Sequence, residues 1–207
     1  MQGYTTVKQT SSFEYEDRKS IFIGECSPVS CEAEALAFIE RVKKRYPDAR
    51  HHVYAYVLRE NSTMRFTDDR EPQGTAGLPI LDIIRKRELV DICVVVVRYF
   101  GGVLLGTGGL VHAYSKACID AIEAAKEIRY SLYTSARISL SYQDHGKLTQ
   151  LMSSSDIYVD DIEYLDSVSI SFSCESDCFD KILSSVTEIT SGRATVEKLG
   201  EKFDFKE

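Results

Sequence analysis

Apolar and polar positions along this 207-residue chain alternate in some stretches and recur at helical spacing in others. "SIFIGECSPV", Ser20 to Val29, reads as a strand that runs into a proline turn. In "EAEALAFIERVKKRY" the apolar positions Leu36, Ile39, Val42 and Tyr46 fall on one side with charges opposite, which predicts an amphipathic helix stopped by Pro47. "HHVYAYVLR" alternates and is rich in Tyr and Val, so it predicts a strand, with "STMRFTD" returning beside it as a hairpin. The Pro and Gly of "DDREPQGTAG" mark a structured loop. "LPILDIIRKR" predicts a helix that tolerates Pro79 in its first turn, where the N–H would have no partner anyway. "ICVVVV" is unbroken apolar sequence, as in a strand covered on both faces. A glycine-rich stretch follows, and then "LVHAYSKACIDAIEAAKE", a predicted helix that takes Glu127 into its run.

After Glu127 the texture changes. "YSLYTSARISLSY" predicts a long strand, "DHGKLTQLMSSS" a short helix, and "IYVDDIEYLD" with "SVSISFSCE" an antiparallel pair. "CFDKILSSVTEIT" predicts a helix and "ATVEKLGEKFDF" a last strand, which gives the order β-α-β-β-α-β of the ferredoxin-like split motif. No internal repeat links the halves. The expectation is an α+β chain with a first domain over residues 1–130 and a ferredoxin-like domain over 131–207, joined by a short connection.

Composition narrows the function classes. The longest apolar run, Ile92–Val97, is far short of the roughly 20 residues that span a bilayer. The N-terminal stretch has no apolar core of a signal peptide, so a cytoplasmic, membrane-free protein is expected. The net charge of −7 is uneven: residues 1–128 hold 17 Lys and Arg against 18 Asp and Glu, and residues 129–207 hold 8 against 14. An acidic second half argues against a general nucleic-acid clamp, because polyanion affinity comes mainly from neutralising phosphates. The clusters "RVKKRYPDAR" and "RKR" read first as solvated helix faces. The six cysteines show no CxxC, and "CESDC" has no histidine near it, so reduced thiols are expected and no zinc site.

Two stretches carry candidate chemistry. In "VVVVRYFGGVLLGTGGLVHAYSKA", Gly101, Gly102, Gly106, Gly108 and Gly109 separate a strand from a helix. A phosphate-binding P-loop would need Lys and Ser/Thr after its last glycine, and a dinucleotide fingerprint would need Gly or Ala at Val111; neither is present. Two readings remain, a tight structural corner and an anion site at a helix start, and the corner is preferred. In "TDDREPQGTAG", Asp68, Asp69 and Glu71 could hold a metal or serve as acid and base. Arg98, which ends the apolar strand, needs an opposite charge near the core edge. The preferred reading pairs Arg98 with Asp69 or Glu71 and ties the two loops together. His51 and His52 are adjacent on a strand and leave on opposite faces, so they cannot readily share a metal. No catalytic residue, metal ligand or cofactor is assigned.

These motifs, "ARHHVYAYV", "DDREPQGTAG", "VVVVRYFGG" and "LGTGGLVHAYSKA", resemble the YigZ/IMPACT family in order and spacing over about residues 15–128. The resemblance implies a first domain like the fourth domain of elongation factor G and a second like that factor's fifth. It implies a translation-control role without established enzymatic activity. Eukaryotic members antagonise a kinase-activating partner and associate with ribosomes. The signature positions it implies are Asp68, Asp69, Glu71, Pro72, Gly74, Thr75, Ala76 and Gly77, followed by Arg98, Tyr99, Gly101, Gly102, Gly106, Gly108, Gly109 and Tyr114. The chain departs from the pattern at Arg70, where the family usually has glycine, and at His112, where it usually has Arg or Lys.

The leading expectation is a non-enzymatic factor that binds the ribosome, RNA or a translation-regulating protein, with DNA not expected. The rival is an enzyme or small-molecule sensor that uses a groove between "DDREPQGTAG" and "RYFGG". A third reading makes the acidic second half an interaction or dimerisation module.

Overall fold

A computed structural model describes residues 3–153 and 157–205 and divides the chain into two compact units, one over Tyr4–Arg129 and the other from Tyr130 onward. No connecting loop lies at the division; β7 (Glu127–Leu140) runs through it. Glu127 therefore opens a strand and is not part of the preceding helix.

In the first unit, β1 (Tyr4–Val7) and β2 (Ser11–Asp17) precede β3 (Ser20–Pro28), α1 (Glu32–Arg45), β4 (His51–Val57) and β5 (Met64–Thr67). Then come α2 (Gly77–Lys86), β6 (Ile92–Tyr99) and α3 (Gly106–Ala125). Five strands form one sheet in the order β2-β3-β6-β4-β5, with each neighbouring pair antiparallel. The run on β6 divides by parity, as pleating demands. Val94 and Val96 face α2 and α3 in one core, while Cys93, Val95 and Val97 face α1 in another. Both faces of this strand are covered, so its sequence shows no alternation.

The buried stripe of α1 is Ala35, Phe38, Ile39 and Val42. Leu36, expected in the core, is 48% exposed. The stripe is turned about one residue from the expected one, and it puts the large Phe38 ring inside. The sheet edge β2 was not anticipated. Its residues are mostly exposed, so its pattern carries little apolar signal.

In the second unit α4 (Tyr142–Met152) follows β7, then β8 (Ile157–Tyr164), β9 (Val168–Glu175), α5 (Phe179–Thr190) and β10 (Thr195–Asp204). The five-stranded sheet here runs β1-β7-β9-β8, with β10 also pairing β7, and the β10–β7, β7–β9 and β8–β9 pairs are antiparallel. Ala136, Ile138 and Leu140 of β7 join Ile170 and Phe172 of β9 in a core with Leu148 and Val186 of the helices. Ser141 caps α4 by accepting the Asp144 N–H at 3.2 Å, so the helix begins at Tyr142, two residues before its expected start at Asp144. The expected end of that helix, residues 154 and 155, lies outside the described residues, as do the outermost residues of both expected domains.

Candidate functional site

Strand register assembles the site. His51 of β4 lies opposite Arg98 of β6, and Arg98 lies opposite Phe22 of β3. The start of β4, the end of β6 and the start of β3 therefore share one end of the sheet. The loop Asp68–Ala76 and the turn Phe100–Leu105 both arise there.

The three carboxylates of the acidic loop turn to three different partners. Asp68 accepts the N–H groups of Gly74 at 2.8 Å, Ala76 at 3.1 Å and Gly77 at 2.8 Å, and so closes the loop onto the start of α2. Asp69 accepts the His52 N–H at 2.6 Å, and its own carbonyl lies 2.7 Å from His51 Nδ1. Glu71 Oε1 accepts Arg98 Nη1 at 2.5 Å and the Tyr114 hydroxyl at 2.8 Å, with His51 Nε2 at 3.7 Å. Of the two carboxylates expected to meet Arg98, Glu71 makes the ion pair and Asp69 holds the backbone of the neighbouring strand. No group of three or more His, Cys, Asp or Glu among the described residues could hold a metal ion.

The Glu71–Arg98 pair is buried, with side chains 4% and 7% exposed. The guanidinium carbon lies 5.4 Å from the Phe22 ring centre and 5.6 Å from that of Phe100, and Arg98 Nε has no hydrogen-bond partner among the described residues. Burial, reinforced by the Glu71 carboxylate, pushes the Tyr114 hydroxyl far above its ordinary range, so it remains a proton donor. Tyr114 also packs edge-on against Phe22 at 5.2 Å. One carboxylate thus joins the acidic loop, β6 and α3. Tyr114 was expected as a signature position, but nothing in its spacing revealed it as the third member of the clasp. The signature Tyr99 ends β6, half-buried, and packs with the α1 core. Thr75 is buried and donates its hydroxyl to the Pro72 carbonyl at 2.6 Å.

The glycines have distinct reasons. Gly101 sits against the β2–β3 turn, where a Cβ would strike the Lys19 carbonyl, and its N–H donates to the buried Ser20 hydroxyl at 3.1 Å. Gly74, Gly102 and Gly106 have φ of +77°, +84° and +75°. Gly108 has open space where its Cβ would be, and Gly109 meets only the Leu105 side chain. Helix α3 begins at Gly106 rather than Leu110, so the last three glycines form its first turn. His112 is exposed on this helix, and His52 Nε2 lies 3.0 Å from the Tyr46 carbonyl.

A groove of about 290 Å³ opens between α2 and α3, lined by Leu78, Pro79, Ile83, Val111 and Ser115. Of the acidic loop only Gly74 reaches it, and no residue of "RYFGG" does. This groove is not the one expected between the two loops.

Comparison with known proteins gives, among others, six matches. Residues 18–122 match the Impact N-terminal domain, and residues 138–193 match a domain of unknown function, DUF1949. The chain is 35% identical over 199 residues to the IMPACT family member YvyE of Bacillus subtilis, covering 96% of this chain and 92% of that protein. It is 37% identical over 144 residues to YigZ of Escherichia coli, covering 68% and 71%, and 30% identical over 100 residues to Protein IMPACT of Homo sapiens, covering 46% and 31%. A crystal structure of a hypothetical protein aligns over 97% of this chain and 98% of that one, with a TM-score of 0.60 and 28% identity.

Proposed function

Starting from the fact that the chain belongs to the YigZ/IMPACT family, we propose that it is a non-enzymatic, cytoplasmic translation-associated factor that binds the ribosome, RNA or a translation-regulating protein. The observation that carries this reading is the use of the signature's charges. Asp68, Asp69, Glu71 and Arg98 are all engaged in bonds that fix backbone and join elements. Groups held this way build a rigid surface, whereas general acid–base chemistry needs a group that can reach a substrate proton. The β-α-β-β-α-β order from β7 to β10 supports the ferredoxin-like reading of the second half, and with it the comparison to the fourth and fifth domains of elongation factor G.

Sedimentation of native lysate through sucrose tests the proposal. The protein should travel with ribosomal fractions at low salt, and an affinity pull-down with and without nuclease should distinguish an RNA tether from a protein contact. A protein that stays at the top of the gradient and retains neither RNA nor a translation protein contradicts the proposal.

A further inference from the structure

The acidic loop is acidic only in sequence. Its three carboxylates point into backbone, strand and clasp, and the charge it leaves outside is Arg70. Arg70 is exposed at φ +72°, a left-handed conformation that favours glycine. The β2–β3 turn behaves alike. Asp17 pairs with Ser20, which leaves a two-residue turn of Arg18 and Lys19 at φ +46° and +65°. Such turns favour Asn-Gly, yet both places hold exposed cations.

These cations share one end of the first unit. The Lys19 backbone abuts Gly101, and the Arg50 N–H donates to the Arg98 carbonyl at 3.3 Å. The Asp69 carbonyl, one residue before Arg70, contacts His51, the register neighbour of Arg98. Arg18, Lys19, Arg50 and Arg70 are exposed and make no ion pair among the described residues. Among them projects the turn that follows Arg98, with Phe100 43% and Leu104 82% exposed. The other acids on the same segments, Glu16, Asp17 and Asp48, number three against these four cations.

We propose that this end of the first unit is a docking surface for single-stranded RNA, with Arg18, Lys19, Arg50 and Arg70 on successive phosphates and Phe100 as a stacking platform for a base. The proposal rests on the translation-factor reading and names its partner and contact residues. Charge complementarity favours a polyanion, and an exposed aromatic ring amid cations suits a strand whose bases are free. The left-handed arginines and lysine keep side chains at positions where glycine would relax the backbone, and those side chains make no hydrogen bond or ion pair among the described residues.

The conformation itself supplies the test. The triple variant Arg18→Asn, Lys19→Gly, Arg70→Gly should melt at or above the wild-type temperature, because each replacement suits its backbone. Binding of a fluorescein-labelled 16-nucleotide single-stranded RNA, read by polarisation from 50 to 200 mM salt, should weaken about tenfold or more at the low-salt end. The slope of log affinity against log salt should flatten by about two, at roughly 0.7 per lost phosphate contact. Phe100→Ala should weaken binding about 5- to 100-fold with little change in slope. If the wild type binds RNA and the triple variant binds it equally with the same slope, the surface is misassigned while the translation reading stands. If the wild type ignores RNA yet sediments with ribosomes, the partner is protein and this inference falls alone. Binding to phosphatidylserine vesicles in place of RNA overturns it too. Failure to bind RNA together with failure to sediment removes both readings.

Discussion

Replacing Glu71 with glutamine probes the clasp at its most sensitive point. The change keeps shape and an acceptor oxygen for Tyr114 but removes the charge that faces Arg98. At roughly 3 Å and an effective dielectric of about 20, two unit charges attract by about 5 kcal/mol. Desolvation offsets much of that while the pair is intact, but a lone buried cation keeps the penalty and loses the attraction, and such losses run about 3–5 kcal/mol. Phe22 and Phe100, within 5.6 Å of the guanidinium, return about 1 kcal/mol through their ring faces. The net expectation is about 3 kcal/mol, or a fall of about 10 °C in melting temperature for a unit of this size. Circular dichroism melts and urea titrations measure it. Arg98→Met combined with Glu71→Gln should recover much of the loss, since neutral groups of similar bulk often replace a buried pair at little cost. A single variant that melts within about 2 °C of wild type, or a double variant whose effects simply add, would refute the argument that this pair is buried and coupled.

Three further outcomes follow from named contacts. Gly101→Ala should destabilise by about 2 kcal/mol or more because its Cβ meets the Lys19 backbone, while Gly108→Ala, with open space, should be neutral or stabilise by up to about 1 kcal/mol; equal melts for the two would contradict the corner. Native protein treated with a thiol reagent should react at the half-exposed Cys31 and Cys178 and not at Cys26, Cys93, Cys118 or Cys174, since burial pushes Cys118 up to about 12 and Cys174 to about 11; mass mapping of modified Cys118 in folded protein would count against it. The Arg193 guanidinium, bonded at 3.0 and 2.6 Å, holds the Asp144 carboxyl down at about 2, against about 4 when unfolded. A depressed carboxyl favours the folded state above about pH 4 and loses that effect as pH falls toward 2. The stability gap between wild type and Asp144→Asn should therefore close across that window, and a gap constant with pH would speak against the pairing.

Much of this was legible where one physical demand dominates. An arginine ending an apolar strand requires a carboxylate, so the Arg98 partner could be narrowed to two acids, and "IYVDDIEYLD" with "SVSISFSCE" could be read as the antiparallel pair that β8 and β9 form. Other features depend on what is packed alongside. Leu36 and Ala35 both fit a helical stripe on α1, and only the position of the Phe38 ring against the sheet decides between them. The acidic loop misleads for a similar reason. Charge read along a chain does not say which way each group faces, and here the fold reverses the sign of what solvent meets. The Arg18–Lys19 turn left a faint trace in the alternation of "SSFEYED", which, set against "SIFIGE", leaves only two residues to make the bend.

The two halves of the acidic loop differ in how far they must reach. Asp68 finds its partners within nine residues, whereas Glu71 waits for Arg98, 27 residues on, and Tyr114, 43 residues on. At a synthesis rate of about 5–20 residues per second, Tyr114 leaves the ribosome about 2–9 s after Glu71. Through that interval the nascent segment has a locally closed hairpin of backbone but a hydrated, unclasped glutamate. Arrested chains that stop short of Tyr114 should be cut readily by trypsin at Arg70, and chains long enough to fold α3 should be protected; equal cutting would show that the loop sets itself. The surface at this end is therefore finished only when the whole first unit is in place.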